Sequence, residues 1–158
     1  MNRKYNKDDV EELVSSLYEK GYMIGLIIRT NGKVEGWLGK DYKDMQKAVG
    51  GLIELVYRGD NFDVWANEEG KVLDPVLPVN AGLAVLISET NTNGLTLRTL
   101  LDKPVHGDVL LLGFDDEGKS ITCPSDVMEM AKDLSIWKEP SMTFVTIDRD
   151  GNMEMDKV

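Results

Sequence analysis

Apolar positions along the chain change period several times, and each change marks an element. Val10, Leu13, Val14, Leu17 and Tyr18 recur at the spacing of one helical face. Asn6 suits an N-cap, Asp8, Asp9, Glu11 and Glu12 lie at the positive end of the helix dipole, and Gly21 offers a left-handed stop. Tyr22 to Thr30 is aliphatic and precedes Asn31-Gly32, whose positive φ angles would make a tight hairpin turn into Lys33 to Leu38. Asp41 to Val49 returns to helical spacing, with Tyr42, Met45, Ala48 and Val49 on one stripe and Gly50-Gly51 as its end.

Leu52 to Tyr57 and Phe62 to Asn67 form a second expected hairpin about Arg58-Gly59-Asp60-Asn61. Glu68-Glu69-Gly70-Lys71 has turn composition, which predicts a further antiparallel return along Val72-Leu73. Pro75 and Pro78 lack amide donors and impose a loop, after which Ala81 to Glu89 reads as a buried helix beginning near Asn80. Asn91 to Leu101 fits a loop, a short strand or a helix equally. The almost wholly apolar Val109 to Phe114 predicts a central strand, turned by Asp115-Asp116-Glu117-Gly118 onto Lys119 to Thr122. Pro124 and Ser125 open a helix through Leu134, and Thr143 to Ile147 begins a terminal hairpin about Asp148-Arg149-Asp150-Gly151-Asn152. The expectation is an α+β fold, a mainly antiparallel sheet built from hairpins with two or three packed helices. A single domain is expected over 1–158, with a helical extension at 1–21, a core at 22–122 and a helix and hairpin at 123–158.

Composition narrows the setting. With 42% apolar and 29% charged residues in 158, the chain can bury a core without disulfides. The longest apolar runs, Val109 to Gly113 and Leu83 to Ile87, fall far short of the roughly 18 to 20 residues that span a bilayer. Met1 to Lys7 is polar and basic with no apolar stretch behind it, and Cys123 is the lone cysteine, so a cytoplasmic, reducing compartment is expected. The formal charge of −10 disfavours nucleic acid and anionic membranes as partners.

No catalytic or metal-binding constellation is complete. If Phe114 pairs with Lys119, Cys123 faces Leu110 and His106 lies four residues along the strand, roughly 13 Å away and too far for proton transfer. Cys123 then reads as a small packing residue. Asp148, Asp150, Asn152, Glu154 and Asp156 resemble the start of a calcium loop, but Met153 stands where glycine is needed and the bidentate glutamate is missing. Gly32, Gly36 and Gly39 before Lys40 hint at a phosphate loop that fails at Val34 and Asp41. No metal site and no cofactor are expected. Trp37, Trp65 and Trp137 with Arg58, Arg98 and Lys71 could stack on and clasp a planar anion, although packing is the commoner role of a tryptophan.

Met45-Gln46-Lys47-Ala48-Val49-Gly50-Gly51-Leu52-Ile53-Glu54, Asn67-Glu68-Glu69-Gly70-Lys71 and Leu77-Pro78-Val79-Asn80 together resemble domain-of-unknown-function family 3846, short proteins common in bacteriophages and mobile elements. Gly107-Asp108-Val109 to Gly118 extends the resemblance, which covers Tyr22 to Thr122 and leaves out the first helix and the tail after Cys123. It implies a phage protein that binds and disables a host factor. The expected function is non-catalytic sequestration of a host molecule, with a nucleotide-derived immune signal as one candidate, in a pocket formed by a homo-oligomer. Asn80, Trp65, Arg98 and Lys71 are the expected contacts to a small anionic or nucleotide-like ligand, with helix capping the alternative role of Asn80. Two rivals remain: an acidic module that inhibits a host DNA-binding or defence protein by surface mimicry, and an enzyme working through carboxylates alone.

Overall fold

The computed structural model describes residues 6–73, 75–144, 146–147 and 153–154, with side chains described for 6–73 and 75–134. The chain runs α1 (Lys7–Glu19), β1 (Met23–Ile28), β2 (Val34–Gly39), α2 (Tyr42–Val49), β3 (Ile53–Arg58), β4 (Asp63–Asn67), α3 (Ala81–Thr90), α4 (Leu97–Asp102), β5 (Val109–Phe114), β6 (Ser120–Ile121), α5 (Ser125–Phe144), β7 (Thr146–Ile147) and β8 (Met153–Glu154). Every pairing is antiparallel. The main sheet has the order β2-β1-β5-β4-β3, with β6 against the far end of β5 and β7-β8 as a separate pair. The architecture is α+β as the pattern predicts, with five helices among the described residues where two or three were expected.

The central strand organises the layers. Val109, Leu110, Leu111 and Leu112 are each 0% exposed. A strand's period of two sends Val109 and Leu111 to one face and Leu110 and Leu112 to the other. On the first face they join Leu26, Ile28, Val64 and Ala66 of the neighbouring strands, Leu83, Leu86 and Ile87 of α3, and Val127 and Ala131 of α5. On the second they meet Ile27, Ile53, and Met45 and Val49 of α2. Each fully buried leucine contributes roughly 2 kcal/mol.

Local signals were legible in the caps. Asn6 accepts from the Asp8 amide and caps α1, while Asp41 and Asp44 form a reciprocal capping box on α2. Gly50, at φ +79°, ends α2 with its amide on the Gln46 carbonyl. The ambiguous stretch from Asn91 contains α4, capped by Thr96. α5 continues beyond Leu134 and takes in Thr143 and Phe144, which were expected to begin a strand. α1 has the expected apolar stripe but buries none of its residues; Leu13 is 60% exposed.

Three expectations are corrected. Among the described residues no non-glycine residue has positive φ, so Asn31 does not share the turn conformation with Gly32. Instead Arg29 donates to the Lys33 carbonyl and Asp115 to the Lys119 carbonyl, giving two three-residue loops closed by Gly32 at φ +91° and Gly118 at φ +80°. That shifts the second register: Phe114 pairs with Ser120, not Lys119, and the Cys123 amide donates to the Ile24 carbonyl of β1 rather than lying opposite Leu110. Val72-Leu73 forms turns instead of a returning strand, because both edges of β4 are already occupied, by β3 and β5. β3, at one margin of the sheet, carries a register shift between Leu55 and Tyr57.

Of the glycines that hint at a phosphate loop, Gly39 has a packing reason and Gly32 a turn reason, while Gly36 faces open space. A Cβ at Gly39 would overlap the Trp37 indole, and one at Gly25 would come within 3.2 Å of it. Of the calcium-like tail, Asp148, Asp150, Asn152 and Asp156 lie outside the described residues.

Leu111→Ala, at the middle of the doubly covered strand, is expected to lower stability by about 3 kcal/mol, measured by urea unfolding. Leu13→Ala on α1 is expected to change it by less than about 0.5 kcal/mol.

Candidate functional site

The most developed concavity lies where the end of the β3-β4 hairpin meets the two connections that flank α3 and α4. Glu54, Leu55 and Val56 of β3, Ala66 and Asn67 of β4, the Glu68–Val72 turn and Lys103–His106 enclose a cleft of about 480 Å³. Val56, Lys103, Pro104 and Val105 also border a smaller hollow of about 90 Å³, walled further by Tyr57, Leu83, Ala84, Ile87 and Leu100. All these walls come from one chain.

Backbone bonds hold the walls in place. Val105 accepts from the Asn80 amide at 2.8 Å, and Gly107 donates to the Pro78 carbonyl at 2.7 Å. His106, which lines the cleft, has its Nδ1 2.7 Å from the Leu77 carbonyl, which can only accept, so Nδ1 donates. Leu77 in turn donates to the Gly70 carbonyl at 3.1 Å. Gly70 is required here because a Cβ would approach the His106 carbonyl to 2.9 Å.

The four residues nominated from sequence do not converge. Asn80 is 1% exposed: its amide group donates to the carbonyls of Ile28 (2.8 Å) and Gly107 (3.0 Å), and its Oδ1 accepts from Leu83. Both amide protons are engaged, so the capping role is the one the structure displays, although the residue also borders the hollow. Trp65 points to the opposite face, against the cluster of α2, where its Nε1 has no partner among the described residues. The alternation along β4 explains this, since Val64 and Ala66 take the cleft-side face. Arg98 is an exposed residue of α4 that lines neither cavity. Lys71 alone reaches the cleft as an accessible charge. Trp37 is held over Gly39, and the side chain of Trp137 lies outside those described.

Sequence reasoning missed Lys103 and His106 as cleft residues, and the signal was faint. Both lie after the stretch whose conformation was ambiguous, and only tertiary pairing, the Val79–His106 bridge and the bonds beside it, brings them to the Asn80 loop. Lys71 and Lys103 make no ion pair among the described residues, in contrast to Arg29 and Arg58. Arg29 is held by Glu35 at 2.8 Å and Asp108 at 2.9 Å, whose hydrogen bonds raise its pKa, and Arg29 in turn holds that of Glu35 down. Arg58 clasps the fully buried Asp63 through two hydrogen bonds of 2.7 and 2.9 Å and lies over the Phe114 ring. The two glutamates of the cleft, Glu54 and Glu68, are exposed and likewise unpaired among the described residues.

Cys123 is buried in the α3/α5 layer, and burial, with Asp126 adding to it, pushes its thiol from 9.0 up to about 12. At neutral pH it is therefore a protonated packing group, not a nucleophile.

Residues 23–135 match the family described as a domain of unknown function, DUF3846. The chain belongs to this family. The matched stretch runs past Cys123 into α5, farther than the resemblance had suggested, and excludes α1. Every wall of the cleft and the hollow falls inside the DUF3846 stretch. No curated protein and no solved structure matches the chain. Among the described residues no helix is long and apolar enough to cross a membrane.

Asn80→Ala removes three buried hydrogen bonds at once and is expected to cost about 3 kcal/mol, whereas Lys71→Ala and Arg98→Ala should each stay within about 0.5 kcal/mol; urea titrations read all three. For Cys123 the folded thiol pKa exceeds the unfolded one, so its contribution is complete below pH 9.0 and is lost as pH rises towards about 12. Unfolding curves across that range should show an alkaline loss that Cys123→Ala reduces.

Proposed function

We propose that this chain is a non-catalytic binding protein that holds a small anionic molecule in the β3 cleft. The observation that carries the reading is the pair of accessible lysines, Lys71 and Lys103, which flank a cavity of ligand size without ion-pair partners among the described residues. Ligand cavities commonly span about 300 to 1,000 Å³, and 480 Å³ falls within that range. Absence of a usable nucleophile at Cys123 supports holding over turnover. The family resemblance supplies the setting, a phage protein that sequesters a host signal, with nucleotide-derived signals as one class to test.

Isothermal titration with mono- and cyclic nucleotides, and mass spectrometry of ligands released from the purified protein, test this reading. Lys71→Glu with Lys103→Glu is expected to weaken binding of a captured anion at least tenfold, with the thermal midpoint little changed. Recovery of a chemically altered ligand with multiple turnover would overturn it.

The formal charge of −10 supports a second reading, mimicry of an acidic surface towards a host protein. A partner whose binding weakens steeply with salt while the lysine pair is irrelevant would favour mimicry.

A further inference from the structure

Resting on the anion-binding reading, we infer that the molecule held in this cleft carries a short aliphatic end, which enters the hollow while its carboxylate or phosphate head stays at Lys103. Three observations point there. Lys103, with Val56, Pro104 and Val105, borders both compartments, so the two adjoin at the lysine. The rest of the hollow is walled by Tyr57, Leu83, Ala84, Ile87 and Leu100, and by Asn80, whose amide protons are both engaged by Ile28 and Gly107. The inner compartment therefore rewards apolar atoms and gives little to a polar group that would have to leave water.

Size selects among apolar groups. The hollow is about 90 Å³, whereas a cavity of about 150 Å³ is what accepts a benzene ring. Tyr57 cannot easily give way, since its ring is packed against Phe62 with centroids 5.8 Å apart. A few methylenes fit; a nucleobase or phenyl ring stays outside, in the wider cleft. Leu100, on the short helix α4, and Ala84, on α3, set the depth available to the chain.

The probe is a series of straight-chain carboxylates from acetate to octanoate, titrated into the full chain and followed by amide chemical shifts. Affinity should rise about fourfold per added methylene, from the transfer free energy of one methylene, and then level off once the hollow is filled. Benzoate should bind no better than acetate. Leu100→Ala should move the plateau to longer chains, Ala84→Leu should move it to shorter ones, and Lys103→Ala should weaken the whole series evenly; circular dichroism shows that each variant is folded. An affinity independent of chain length, or an equal preference for ring acids, would overturn the inference. If nucleotides bind through Lys71 and Lys103 while the carboxylates do not, this inference fails and the anion-binding reading stands. If no anion binds, both fail.

Discussion

Everything in this fold is arranged around a strand that water reaches from neither side. Val109 to Leu112 is fully buried, and its alternate side chains belong to different hydrophobic layers. Such a strand is stable only if both faces are roofed, which is why α2 must cover one side and α3 and α5 the other. The same requirement fixes its lateral neighbours. β1 and β4 occupy its two edges, so the hairpins β1-β2 and β3-β4 flank it as complete units.

Asn80 couples that core to the cleft. Its side chain gathers the end of β1, the approach to β5 and the first turn of α3, and its own amide fixes the Val105 carbonyl. The wall that carries Lys103 and His106 is thus tied into the main sheet rather than hung from it as a free loop. A wall tethered in this way is preorganised, which would favour affinity under the anion-binding role proposed above.

How much of this the sequence displayed depended on the range of the forces involved. Caps and stops are local, and Asn6, Gly50 and the central strand were legible from neighbouring residues alone. The return along Val72-Leu73 was not, because it was excluded by occupancy of the β4 edge by β5, a partner 47 residues later in the chain by the register of Val64 with Leu111. The candidate site divided in the same way. Lys71, beside a turn of recognisable composition, lines the cleft; Lys103 is brought there by the backbone bonds that tie 105–107 to 78–80, and Trp65 takes the opposite face because one step of strand alternation decides it. Asn80, expected as a ligand contact with capping as the alternative, is engaged as the cap of α3 and also borders the hollow.

The slip in register between Leu55 and Tyr57 has a consequence for the chain in a crowded solution. β3 is the margin of an all-antiparallel sheet, and a regular margin offers its unpaired amides to any other chain as a template for growth. A bulge misaligns those amides and twists the strand, so that an incoming strand finds no continuous ladder to extend. At this margin, which also walls the cleft, the irregular β3 is a poorer template for an added strand than a regular edge would be.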